Sequence, residues 1–134
     1  MRLGEIFELH GEAHYRTIES RVVDEVLADP APAVLAAGGS LVTSPAPWAR
    51  LRERALTVWL RASPESHLER VRAQGDLRPM RGRTEPLAEL REILQERAPL
   101  YASAALALDT DALGVSGAVH QIVAALEARS PALA

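Results

Sequence analysis

The sequence predicts an α/β protein built on a parallel sheet, and three observations carry that prediction. Three short apolar runs, "AVLAA" (33–37), "LTVWL" (56–60) and "LALDT" (106–110), lack the alternation of a half-solvated strand. Continuous apolar runs of this length fit strands buried on both faces. Helical patterns separate the runs, and strands alternating with helices imply crossover connections and parallel pairing.

The elements follow in order. Residues 2–28 read as helix, because Ile6, Leu9, Tyr15, Ile18, Val22, Val26 and Leu27 recur at spacings of three and four. Gly11 is expected to break this stretch into two helices, and Pro30 to stop the second. The 33–37 strand runs into "GGS", and residues 46–54 form the next helix. After the 56–60 strand comes a helix start, with Ser63 at the N-cap and Pro64 at the first position. Residues 75–86, "GDLRPMRGRTEP", form a loop rich in Gly, Pro and charge. "LAELREILQER" is an amphipathic helix that Pro99 is expected to interrupt, with "LYASA" continuing for a turn or two. After the third strand, residues 115–128 make the closing helix, so the domain spans 1–129 and 130–134 are tail.

The totals exclude several classes. With 134 residues the chain holds one domain. A net charge of −3 gives no reason to expect nucleic-acid binding by this segment. The absence of cysteine rules out disulfides and thiolate metal sites. No apolar run nears the roughly 20 residues of a membrane helix, and the start of the chain does not read as a signal peptide, so the expected location is cytoplasmic. Histidines 10, 14, 67 and 120 have no metal-ligand spacing, so no metal site is assigned. No catalytic residue is assigned either.

Four motifs carry chemistry, each with two readings. Arg16 and Glu19 lie one helical turn apart, which suits a surface ion pair or a positioned guanidinium. Gly38 and Gly39 follow an apolar run, which suits a tight turn or backbone amides facing an anion. Arg70, Arg72, Arg78, Arg81 and Arg83 lie in or beside the 75–86 loop, which suits a solvated basic loop or a lid that closes on phosphates. Arg97 near Pro99 suits interaction with the helix dipole or an inward-aimed cation.

In order, these pieces resemble shikimate kinase: "IFELHGEAHYRTIE", "VLAAGGSLV", "LRPM" and "ERAPLYASAA…LDT" resemble that family's segments over nearly the whole chain. The resemblance implies a three-layer αβα parallel sheet of the P-loop, nucleoside-monophosphate-kinase type, with about three of its strands in this sequence. It implies that Arg16 and Arg97 bind the substrate carboxylate and that the backbone of Gly38 and Gly39 faces the substrate. Ser40 stands where these kinases usually carry a third glycine. It also implies that Arg78 reaches nucleotide phosphates from the lid and that Arg70 stacks on adenine, although the spacing from Arg70 to the lid departs from the family's by one residue.

All 15 basic residues are arginine, so the lysine of a phosphate loop is absent from this sequence. By the resemblance, the phosphate-loop strand, "GxxGxGKST" and the aspartate-bearing strand would lie upstream of Met1, and the family fold enters here N-terminally truncated. Phosphoryl transfer depends on that lysine and loop, so the chain by itself is expected to be inactive. It is expected to need no cofactor alone, with ATP and Mg²⁺ used by the full-length domain. In the implied fold, removal of the central strand leaves 33–37 and 56–60 to close on each other or to take a neighbour between them, including a homo-oligomeric one.

"AQGDLRPM", "LTVWLRASPESHLERV" and "LREILQERAPLYASA" further resemble the shikimate-kinase-like effector domain of benzoyl-CoA-responsive helix-turn-helix transcriptional regulators. That resemblance implies a module sensing an aromatic acyl-CoA, with DNA bound through a separate N-terminal domain. The alternative is a fragment of a shikimate kinase. In both, the partner is a small anionic ligand, shikimate or acyl-CoA.

Overall fold

The structure, a computed structural model, describes residues 2–75 and 85–129 and falls into two compact units, 1–55 and 56–134.

The first unit is helical. Helix α1 (Leu3–Ala28) starts where the Arg2 backbone N–H donates to Glu5 at 2.9 Å, and Gly11 (φ 82°, ψ 172°) kinks it. That left-handed φ is open to glycine at little steric cost, so the break expected at Gly11 is there. The kink also shifts the phase of the apolar stripe. Leu9 is 68% exposed and Val22 is exposed, while Val23 is half-buried with Val26 and Leu27. A short 3₁₀ turn (Gly39–Thr43) then leads into α2 (Pro45–Arg54), and Leu41, Val42, Pro47 and Leu51 form this unit's core. Arg50 ties α2 to α1 through the Ser20 hydroxyl at 2.9 Å and an ion pair with Asp24.

Residues 33–37 are not a strand. They lie exposed, and Val34 is 101% accessible. A strand exists only where its backbone pairs with another about 4.8 Å away, and among the described residues this segment has no ladder partner.

The second unit holds the sheet. Strands β1 (Val58–Arg61) and β2 (Leu106–Asp109) pair in parallel, with Val58 opposite Leu106 and Arg61 opposite Asp109. Two of the three expected strands are therefore present among the described residues. Buried Thr57 extends the ladder: its carbonyl accepts the Leu106 N–H at 3.1 Å and its hydroxyl accepts the Ala105 N–H at 3.0 Å. Helices α3 (Pro64–Ala73) and α4 (Pro86–Tyr101) link the strands, and α5 (Thr110–Arg129), kinked at Gly114 (φ 67°), packs on both. Ser63 caps α3 as expected, its Oγ accepting the Ser66 N–H at 3.1 Å. Pro99, by contrast, does not interrupt α4. It lies two residues before the helix ends at Tyr101, so the N–H it lacks removes one bond from the final turn only.

Among the described residues of this unit, Leu68, Leu108 and Ala118 are buried and apolar, and Trp59 stacks on Tyr101 with centroids 5.5 Å apart. The 130–134 tail and positions 76–84 of the expected lid lie outside the described residues. Among the described residues no helix is long and apolar enough to cross a membrane.

Candidate functional site

In the first unit the structure brings Arg16 to the glycine loop. Arg16 projects from the second half of α1, beyond the Gly11 kink. Its Nη1 donates to Glu19 Oε1 at 3.0 Å and to the Ser40 carbonyl at 3.3 Å, and its Nη2 lies 3.6 Å from Glu12 Oε1. The Arg16 side chain is 24% exposed and that of Glu19 only 11%. Glu19 also accepts a hydrogen bond from the Ser44 hydroxyl at 3.3 Å, which ties the same carboxylate to the start of α2. The guanidinium sits 5.5 Å from the centroid of the Tyr15 ring, and Tyr15 packs on Phe7 at 4.4 Å.

Both readings of Arg16 are thus represented: it forms the ion pair with Glu19, and it touches the loop expected to face a ligand. Sequence spacing pointed to the first contact. It gave no signal for Ser40, 24 residues away, or for Ser44.

Gly38 has φ −61° and ψ 144°, extended backbone open to any residue, and a Cβ there would lie 3.9 Å from the Tyr15 hydroxyl. Neither backbone angle nor crowding demands glycine at 38. The Gly38 carbonyl accepts the Leu41 N–H at 3.0 Å, and Gly39 opens the 3₁₀ turn. Ser40, where the third family glycine would stand, contributes its carbonyl, which also accepts from the Thr43 hydroxyl at 2.6 Å.

In the second unit Arg97 lies half-buried near the end of α4. Among the described residues it has no hydrogen bond or ion pair. Arg78 lies outside the described residues. Arg70, on α3, is held against the first turn of α5: its Nη1 donates to Thr110 Oγ1 at 2.9 Å and its Nη2 to Asp111 Oδ1 at 3.1 Å. Asp111 Oδ2 accepts the Ser63 backbone N–H at 2.7 Å. That backbone hydrogen bond, assisted by Ser66, the Ser63 hydroxyl and Arg70, lowers the Asp111 pKa below the ordinary aspartate value. Glu65 on α3 bonds Arg91 on α4, and its pKa is lowered too, first by a backbone hydrogen bond and then by that arginine. Thr110 and Asp111, 40 and 41 residues from Arg70, were not legible as its partners.

Among the described residues no three His, Asp or Glu side chains gather into a metal site. What the described residues offer is cationic: a guanidinium beside a glycine loop in the first unit, and in the second an Arg97 without a partner among the described residues and a doubly tethered Arg70. Such groups bind anions and planar rings.

Comparison with known proteins gives one family. The family model described as shikimate kinase matches residues 1–127. A shikimate kinase of Nitrobacter winogradskyi is 43% identical over 104 residues, covering 78% of this chain and 48% of that protein. One from Ruegeria pomeroyi is 37% identical over 134 residues, covering 99% of this chain and 68% of that protein. Among solved structures, shikimate kinase from Acinetobacter baumannii in complex with shikimate superposes with a TM-score of 0.75 at 32% identity, covering 90% of this chain and 66% of that one. The chain spans about half to two thirds of the length of the curated relatives it matches.

Proposed function

The chain belongs to the shikimate kinase family, and from that premise we propose that it supplies the substrate-carboxylate and lid portion of an ATP-dependent phosphorylation of shikimate. The observation that carries this reading is the contact of Arg16 with the carbonyl of Ser40 at 3.3 Å. It joins a guanidinium to the glycine loop, the two elements that would receive a carboxylate. In the second unit, Arg97 is the other arginine that the family resemblance assigns to a carboxylate, and its lack of a partner among the described residues suits a group whose counter-ion is a ligand. Arg70 and Arg78 belong to the nucleotide side.

The relatives and solved structures compared above are named as shikimate kinases. That favours the enzyme reading over the acyl-CoA sensor suggested by "AQGDLRPM", which no comparison supports. The sequence contains no lysine, so the cation facing the transferred phosphate would be an arginine of this chain or a group outside these 134 residues. Charge stabilisation and positioning carry nearly all of phosphoryl-transfer catalysis, so this portion alone binds without turning over.

Calorimetry with shikimate and benzoyl-CoA titrated separately tests the reading. Shikimate is expected to bind, and more weakly after Arg97→Ala. The chain with ATP, Mg²⁺ and shikimate is expected to release no ADP above background. Preferential binding of benzoyl-CoA would restore the sensor. ADP release that tracks the purified chain and is lost in Arg97→Ala would show that these residues suffice for catalysis.

A further inference from the structure

Arg70 carries a constraint that its sequence context does not suggest. A guanidinium is planar, with five N–H donors in that plane. Two donors on different nitrogens are already engaged, one by Thr110 Oγ1 at 2.9 Å and one by Asp111 Oδ1 at 3.1 Å. Two bonds to consecutive residues fix the orientation of the plane as well as its place. Both acceptors are themselves held. Asp111 Oδ2 takes the Ser63 N–H at 2.7 Å, and the Thr110 hydroxyl donates to the Arg61 carbonyl at 2.7 Å. The tether thus reaches the end of β1 on one side and the N-cap of α3 on the other.

Two consequences follow for a ligand. The Asp111 carboxylate offsets the Arg70 charge, which weakens the pull on a phosphate. The Arg70 side chain remains 49% exposed. With one edge of the fork occupied, the guanidinium face is the surface best placed for a ligand. Such a face takes a planar aromatic ring by cation–π and stacking contact, which agrees with the adenine stacking that the family resemblance implies for Arg70; what the resemblance does not give is the group that holds the plane.

We propose that Asp111 is a positioning residue: it fixes the plane of Arg70, so that the free face of the guanidinium takes the base, and not the phosphates, of a nucleotide. The proposal rests on the reading of Arg70 as a nucleotide-side residue.

The test uses the ¹⁵N-labelled chain, adenosine as a base-only probe and tripolyphosphate as a phosphate-only probe. In the parent, rotation about the Arg70 guanidinium bonds should be slow by NMR, and adenosine should shift the Arg70 signals. Asp111→Asn should speed that rotation towards the rate of Arg97 and weaken adenosine binding about tenfold, the loss expected for one charge-assisted hydrogen bond. Tripolyphosphate binding should stay at the parent value. Should Asp111→Asn fail to fold by circular dichroism, Thr110→Val, which strips the other contact from Arg70, carries the same expectation. If Arg70→Ala weakens adenosine binding while Asp111→Asn leaves it unchanged, positioning by Asp111 is overturned and the nucleotide-side reading survives. If Arg70→Ala has no effect, or the parent binds no adenosine, that reading falls and the proposal with it.

Discussion

Replacing Arg16 with alanine separates an intrachain tie from a ligand contact, because the two make different demands on the same guanidinium. The substitution removes a 3.0 Å charge-assisted bond to Glu19 and a 3.3 Å bond to the Ser40 carbonyl. It leaves a carboxylate only 11% exposed with the Ser44 hydroxyl as its remaining hydrogen-bond donor among the described residues. A hydrogen bond to a charged group contributes about 1.5–3 kcal/mol. Since Arg16 is itself 24% exposed, solvent screening favours the lower part of that range, roughly 1.5–2 kcal/mol of unfolding free energy. The control is Glu12→Ala. That carboxylate is 70% exposed and 3.6 Å away, and its loss should cost less than about 0.5 kcal/mol. Urea unfolding measures both. If Arg16 also receives a ligand carboxylate, shikimate affinity should fall by roughly ten- to hundredfold, the same 1.5–3 kcal/mol counted a second time. A variant that loses stability but binds shikimate as tightly as the parent would refute the ligand role and leave Arg16 as an intrachain tie.

Other outcomes follow from the geometry. Ser63→Ala removes the acceptor of the Ser66 N–H and should cost about 1 kcal/mol by denaturant unfolding. Gly11→Ala forces an L-residue to φ 82° with ψ 172° and should destabilise by about 1–3 kcal/mol, while Gly38→Ala, in extended backbone, should fold with parent stability. Asp111 is held below its ordinary pKa, so its folded-state value lies under its unfolded one. Its stabilising contribution is present above the unfolded value, near 3.9, and is lost as pH falls through the folded value. Acid unfolding curves should therefore be shallower in that window for Asp111→Asn than for the parent.

What could be read in the sequence was local chemistry. Ser63 and Pro64 announced the start of α3, Gly11 the break in α1, and the apolar runs at 56–60 and 106–110 the two strands. Each depends on residues within a turn or two of itself. The run at 33–37 has the same composition, yet strand formation depends on a partner that composition cannot supply. Pro99 misled for a related reason: its effect depends on where the helix ends, and α4 ends just after it. Around Arg16 the spacing to Glu19 was legible, but the contact with Ser40 was not. The tether from Arg70 to Thr110 and Asp111 spans 40 and 41 residues, and it exists only because β1 and β2 pair in parallel and bring the helices that follow them together.

The unpaired segment at 33–37 bears on how the protein tolerates concentration. Exposed apolar backbone without a ladder partner is the raw material of intermolecular β-stacking. Here its length is bounded on both sides. Pro30 and Pro32 stand before it and Gly38 and Gly39 after it; proline cannot donate to a ladder and glycine weakens one. Within the segment three of five residues are alanine, which is depleted in strands relative to valine or isoleucine. The bracketed, alanine-rich stretch is too short and too weakly β-forming to seed a fibril, and substitutions such as Ala36→Val or Pro32→Val would remove that safeguard without touching the core.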